Sequence, residues 1–148
     1  MTPHELLVTM SESYFTDVIS ASPKKFREEL FRRTGIKSRG GAFSLATNKK
    51  NELRIKRLFQ AIQEGAEIEG AIAEELIRNY LYTRRPLLAD ALDFFEVPHQ
   101  EGLTEADLDF LAQVEAARGN ELRSKLTARH AEADVDLYLR FMNIKFGG

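Results

Sequence analysis

The chain has 148 residues, 43% of them hydrophobic, a formal net charge of −2 and no cysteine. That length suits a single domain, 1–148, with a core able to stand without disulfides or a structural metal. The missing thiols exclude disulfide frameworks, Cys-ligated zinc, iron–sulfur clusters and thiol nucleophiles together. Charge is unevenly placed: residues 1–60 hold twelve Lys and Arg against six Asp and Glu, whereas 61–148 hold nine against seventeen.

Thr2-Pro3-His4-Glu5 reads as a helix start, because Thr2 can cap, proline suits the first helical position and Glu5 completes a capping box. Leu6, Leu7, Met10, Phe15, Val18 and Ile19 follow at helical spacing, with a break expected around 11–13. Ser22-Pro23 repeats the cap-plus-proline signal, and Phe26, Leu30 and Phe31 line the helix it opens. Gly35 closes that helix, since a left-handed residue is easily placed there.

Residues 36–47 are the least helical stretch, with a turn-like Lys37-Ser38-Arg39-Gly40-Gly41. Thr47 or Asn48 then caps a helix whose Ile55, Leu58, Phe59 and Ile62 share one face. Gly65 ends it. Ile68, Ile72, Leu76 and Tyr80 mark the next stripe, to about residue 83. Pro86 restarts a helix through Phe95 with Leu87, Leu88, Ala91 and Leu92 apolar, and Pro98 bars its continuation. Thr104-Glu105-Ala106-Asp107 is expected to cap a helix carrying Leu108, Leu111 and Val114. Gly119-Asn120 separates it from a last, long helix with Leu122, Leu126, Ala133, Leu137 and Phe141 near one face. The fold class is therefore all-α: a compact bundle or orthogonal array of about six to seven short helices, irregular near 36–47.

No segment approaches the ~20 apolar residues of a membrane span. The first residues lack the basic start and unbroken apolar run of a secretory leader. The cytoplasm is the expected location, and no membrane partner is expected.

Four constellations could carry chemistry. Asp90, Asp93, Glu96 and His99 are spaced three apart, but Pro98 takes His99 off the helix and no second Glu-x-x-His exists to complete a di-metal site. His130 and Asp134 lie one turn apart, as a carboxylate-oriented base would, yet no nucleophile is legible beside them; a surface i, i+4 pair is the plainer reading. Arg39-Gly40-Gly41 lacks the spacing and the preceding strand of a phosphate-binding loop. No catalytic residue, cofactor or metal ligand is assigned, and an enzyme ranks third.

The basic stretch is the fourth. Lys24, Lys25, Arg32, Arg33, Lys37, Arg39, Lys49, Lys50, Arg54 and Arg57 could meet phosphates in a salt-dependent way. Glu28, Glu29 and Glu52 dilute it, and a mixed-charge helix surface is the plainer reading. Against these stands a patch around Pro86, where Tyr80, Tyr82, Phe94 and Phe95 crowd two helices beside Arg84 and Arg85. Exposed aromatics next to arginines are the usual make-up of an interface centre. The leading expectation is a non-catalytic interaction module (adaptor, accessory subunit or regulatory protein) that docks on another protein through Tyr82, Arg84, Arg85 and Phe94. The alternative is a nucleic-acid binder using 24–57; a homo-oligomer is compatible with either.

Overall fold

The computed structural model describes residues 1–36 and 47–147, without the side chains of 47–50. Among the described residues there are eight α-helices, a 3-10 turn and no strand: α1 Pro3–Val8, α2 Glu12–Ser20, α3 Lys24–Arg33, α4 Thr47–Gln63, α5 Gly70–Leu81, α6 Arg85–Phe94, the 3-10 turn Asp109–Gln113, α7 Ala116–Thr127 and α8 Glu132–Phe141. The chain is all-α, as the 3.6-residue period implies, and divides into two compact units, Thr2–Tyr80 and Leu81–Gly148.

In the unit Thr2–Tyr80, each local signal has a visible cause. Thr2 Oγ1 accepts the Glu5 N–H at 3.2 Å, and Ser11 Oγ accepts the Tyr14 N–H at 3.2 Å. The second cap makes the expected break real, splitting the first apolar run into α1 and α2. Both helices pack on α4, burying Leu6, Leu7, Phe15, Val18 and Ile19 with Ile55, Leu58 and Ile62. Each fully buried aliphatic or aromatic side chain contributes about 1.5–3 kcal/mol. Gln63 Nε2 donates to the Val8 carbonyl at 2.7 Å, and His4 Nδ1 accepts the Ile68 N–H at 3.2 Å, tying α1 to the α4–α5 connection. Gly35 (φ +75°) and Gly65 (φ +109°) end α3 and α4 in the left-handed conformation that favours glycine. Ser22 departs from its expected role. It is buried and accepts from Asn79 Nδ2 at 3.0 Å, so Pro23 precedes α3 with no side-chain cap.

The unit Leu81–Gly148 departs more from the sequence reading. α6 forms as expected and buries Leu87, Leu88, Ala91 and Leu92. The helix expected from Thr104 does not form. Residues 95–108 are a strap instead, and only Asp109–Gln113 coils, as a 3-10 turn burying Leu111. The would-be caps are spent within the strap: Thr104 Oγ1 donates to the Pro98 carbonyl at 2.9 Å and accepts the Ala106 N–H at 3.1 Å, and Asp107 Oδ1 accepts the Asp109 N–H at 2.8 Å. Gly119-Asn120, expected as a separator, lies inside α7. A Cβ at Gly119 would stand 1.7 Å from the Lys145 carbonyl oxygen, so glycine is there for close backbone approach. The expected long last helix is broken at 128–131 into α7 and α8. The turn is fixed to α6 by Asp90, which accepts from His130 Nε2 at 2.6 Å and pairs with Arg129 at 3.2 Å. α7 packs on α6 and on α8, and Arg123 of α7 bonds Asp136 and Glu132 of α8, both at 2.7 Å.

Candidate interaction surface

Tyr82, Arg85 and Phe94 all belong to the unit Leu81–Gly148, at the two ends of α6. Tyr82 is 44% exposed in the turn before the helix. Arg85 Nε donates to the Tyr82 carbonyl at 3.0 Å, and its guanidinium carbon lies 5.8 Å from the Tyr82 ring centroid. This holds an exposed ring against a cation, within the range where the ring quadrupole attracts it. Arg84 does something different. Its Nε donates to Asp134 Oδ2 at 3.0 Å, and that carboxylate is buried. Arg84 therefore compensates a buried charge at the start of α8, a role whose loss is costly because it strands the partner.

At the other end of α6, Phe94 stacks edge-on with Phe95 (centroids 5.0 Å, 88°), and Phe95 does the same with Phe110 (5.9 Å, 84°). Arg118 lies 4.5 Å over Phe94 and Lys125 5.8 Å from it. The ladder runs from half-buried Phe94 to Phe110, which is 42% exposed. Edge-to-face pairs of this kind are worth about 0.5–1.5 kcal/mol beyond their buried area, which favours these ring positions. Phe110, Arg118 and Lys125 were invisible to the sequence reading, because they reach the ladder from outside α6.

The strap that leads into the 3-10 turn of Phe110 is itself pinned. Gln100 and Leu103 exchange two backbone hydrogen bonds, at 2.8 and 3.0 Å, around Glu101 (φ +52°) and Gly102 (φ +85°). Positive φ at both central residues is the pattern of a type I′ turn. A Cβ at Gly102 would meet the Arg85 carbonyl oxygen at 2.8 Å and Leu88 Cβ at 2.9 Å, so the turn lies directly on α6. His99 locks it: Nδ1 accepts the Gly102 N–H at 3.1 Å, which places the ring proton on Nε2, 2.6 Å from Asp93 Oδ1.

The one-turn pairing of His130 with Asp134 is replaced. His99 joins Asp93, and both its nitrogens are engaged. His130 bonds Asp90, while Asp134 is taken by Arg84. Among the described residues, no three His, Asp or Glu side chains converge as metal ligands would.

The basic stretch is distributed over α3 and α4. Arg32 and Arg33 bond Glu29 at 2.6 and 2.9 Å, and Arg33 also bonds Glu69 at 2.8 Å. These contacts pull the Glu29 carboxyl below its usual range and raise Arg33, with the Arg33 bond the largest influence on Glu29. Arg54 is 11% exposed, lies 4.3 Å over the Phe31 ring and reaches Glu28 at 3.4 Å; its buried Nε has no hydrogen-bond partner. With Lys25, Arg32 and Ile36 it lines a groove of about 600 Å³. Lys24 and Lys25 occupy the first turn of α3, and Arg57 is on α4. Lys49 and Lys50 lie in the first turn of α4, their side chains undescribed, and Lys37 and Arg39 fall outside the described residues.

No helix among the described residues is long and apolar enough to cross a membrane. No protein-family model matches the chain, and no curated protein or solved structure matches it either.

Proposed function

We propose that this protein is a non-catalytic, cytoplasmic interaction module of adaptor, accessory or regulatory type, docking another protein through the aromatic–cation surface of its unit Leu81–Gly148. The observation that supports it most is the pair of exposed rings, Tyr82 and Phe110. Both are held by cations or other rings rather than free to turn inward. Aromatic side chains fixed before binding lose little entropy on contact, and they are the residues that dominate interface energies. Tyr82, Arg85 and Phe94 supply direct contacts, while Arg84 steadies the turn through Asp134.

The nucleic-acid alternative draws less support. Arg32, Arg33 and Arg54 already spend hydrogen bonds on Glu29, Glu69 and Glu28, which lowers the free positive charge available to phosphates.

The test is a quantitative pull-down from lysate of the native host, comparing the wild-type chain with a Tyr82→Ala/Arg85→Ala double variant and with Phe94→Ala. Helicity is checked by circular dichroism. At least one specific partner should be lost from the folded variants. Retention of every partner by all of them refutes the assignment.

A further inference from the structure

The strap and its flanks carry an unbalanced charge. Residues 93–115 contain seven carboxylates (Asp93, Glu96, Glu101, Glu105, Asp107, Asp109 and Glu115) and no Lys or Arg. Asp93 is engaged by His99. The other six form no ion pair among the described residues, although ion pairs are frequent elsewhere in the chain. Among these charges stand two of the large exposed apolar side chains of the chain, Phe110 at 42% and Leu103 at 40%. Leu103 closes the turn that Gly102 seats on α6, and Phe110 ends the aromatic ladder, so both are presented from anchored backbone.

Resting on the interaction reading above, we infer that this strap receives a basic protein segment, one that carries several Lys or Arg beside an aliphatic or aromatic anchor. Three features fix that chemistry. The sign of the charge repels nucleic acid and anionic lipid and steers cations inward. The carboxylates do not converge: no three of them meet at one point, so the surface suits charges spread along a chain rather than a single metal ion. The apolar pair at 103 and 110 offers an anchor that a purely ionic partner leaves unused, and buried apolar contact at the centre of a charged rim is how such interfaces gain specificity. The strap is already pinned by His99 and Thr104, so docking costs little ordering.

The experiment uses the full chain and fluorescence anisotropy with three labelled ten-residue peptides: one alternating Lys with Leu and Phe, one of Lys alone, and one with Glu in place of each Lys in the first. The expected result is saturable binding of the Lys/Leu/Phe peptide, with little binding of the other two. Affinity should fall at least tenfold in Leu103→Ala/Phe110→Ala, and at least tenfold in Glu105→Gln/Asp107→Asn/Asp109→Asn. In the latter, the amide oxygen introduced at position 107 can keep the turn's cap. No binding, equal binding of the all-Lys peptide, or affinity unchanged in both variants overturns the proposal. So does concentration-dependent self-association by sedimentation that the neutralised variant abolishes, because the occupant is then a second copy. The two readings fail separately. Partner loss in the Tyr82/Arg85 variant without peptide binding removes only the basic-segment proposal. Peptide binding with every pulled-down partner retained removes only the Tyr82–Phe94 contact assignment.

Discussion

Replacing Gly119 with alanine sets helix propensity against packing, and the two predict opposite signs. Gly119 lies inside α7, where Ala is favoured over Gly by about 1 kcal/mol. Its backbone, however, is crossed by the segment after α8: the new Cβ would stand 1.7 Å from the Lys145 carbonyl oxygen, 2.9 Å from the Lys145 carbonyl carbon and 3.4 Å from Ile144 Cγ2. Backbone cannot move aside as a flexible side chain does, so the segment must lift. Lifting exposes Ile144, now 3% exposed, at a cost of about 1.5–3 kcal/mol. It also breaks the paired hydrogen bonds by which Asn120 holds Gly147, at 2.7 and 3.1 Å, each worth about 0.5–1.5 kcal/mol. Freed residues regain backbone entropy, and α7 gains propensity, so we expect a net destabilisation of roughly 1–3 kcal/mol. Urea unfolding followed by circular dichroism measures it. Gly70→Ala serves as control, because no heavy atom lies within 4 Å of its Cβ position and its φ is not positive. In the variant, the Ile144 amide, which donates to the Leu139 carbonyl at 2.9 Å, should exchange faster. A Gly119→Ala protein as stable as wild type, or more stable by the propensity gain, would refute the reasoning.

Two further predictions concern the strap and the core of the same unit. Glu101 occupies a left-handed position that costs a non-glycine residue about 1–2 kcal/mol and that asparagine tolerates better, so Glu101→Asn should raise stability by about 0.5–1 kcal/mol. Glu101→Gln, which removes the charge and keeps the strain, should not reproduce that gain in urea unfolding; equal gains would assign it to charge. Burial lifts the Tyr138 phenol well above its ordinary range, so the unfolded chain loses that proton first, near a pH of about 10. The stability this contributes is intact below that point and falls as pH rises beyond it. Tyr138→Phe should therefore flatten the alkaline decline of the urea midpoint, and an unchanged slope would exclude Tyr138 as its source.

Much of the fold was legible because the local signals and the tertiary structure agree. The cap at Thr2, the break at 11–13, the proline at the start of α6, the glycines after α3 and α4, and the apolar stripe of α6 all act through neighbours a few residues away. The failures occur where a distant partner redirects a local signal. Ser22 resembles a cap until Asn79, 57 residues on, takes its hydroxyl. Gly119 looks like a separator until Lys145 crosses it. Nothing in 128–131 looks like a helix end, and only Asp90 of α6, bonded to His130 and Arg129, shows why the chain turns there. The same division runs through the candidate surface. Tyr82, Arg85 and Phe94 could be named from composition around Pro86, but the role of Arg84 depends on Asp134 fifty residues away. Phe110, Arg118 and Lys125 join Phe94 and Phe95 only through the strap and α7.

Amide hydrogen exchange on the complex with a captured partner, compared with the free chain, tests the docking claim most directly. Exchange should slow at 82–85, 94–96 and 100–111, on the aromatic ladder and the strap beside it. Protection confined to α3 and α4, with those segments unchanged, would contradict it and return the function to the basic residues of 24–57.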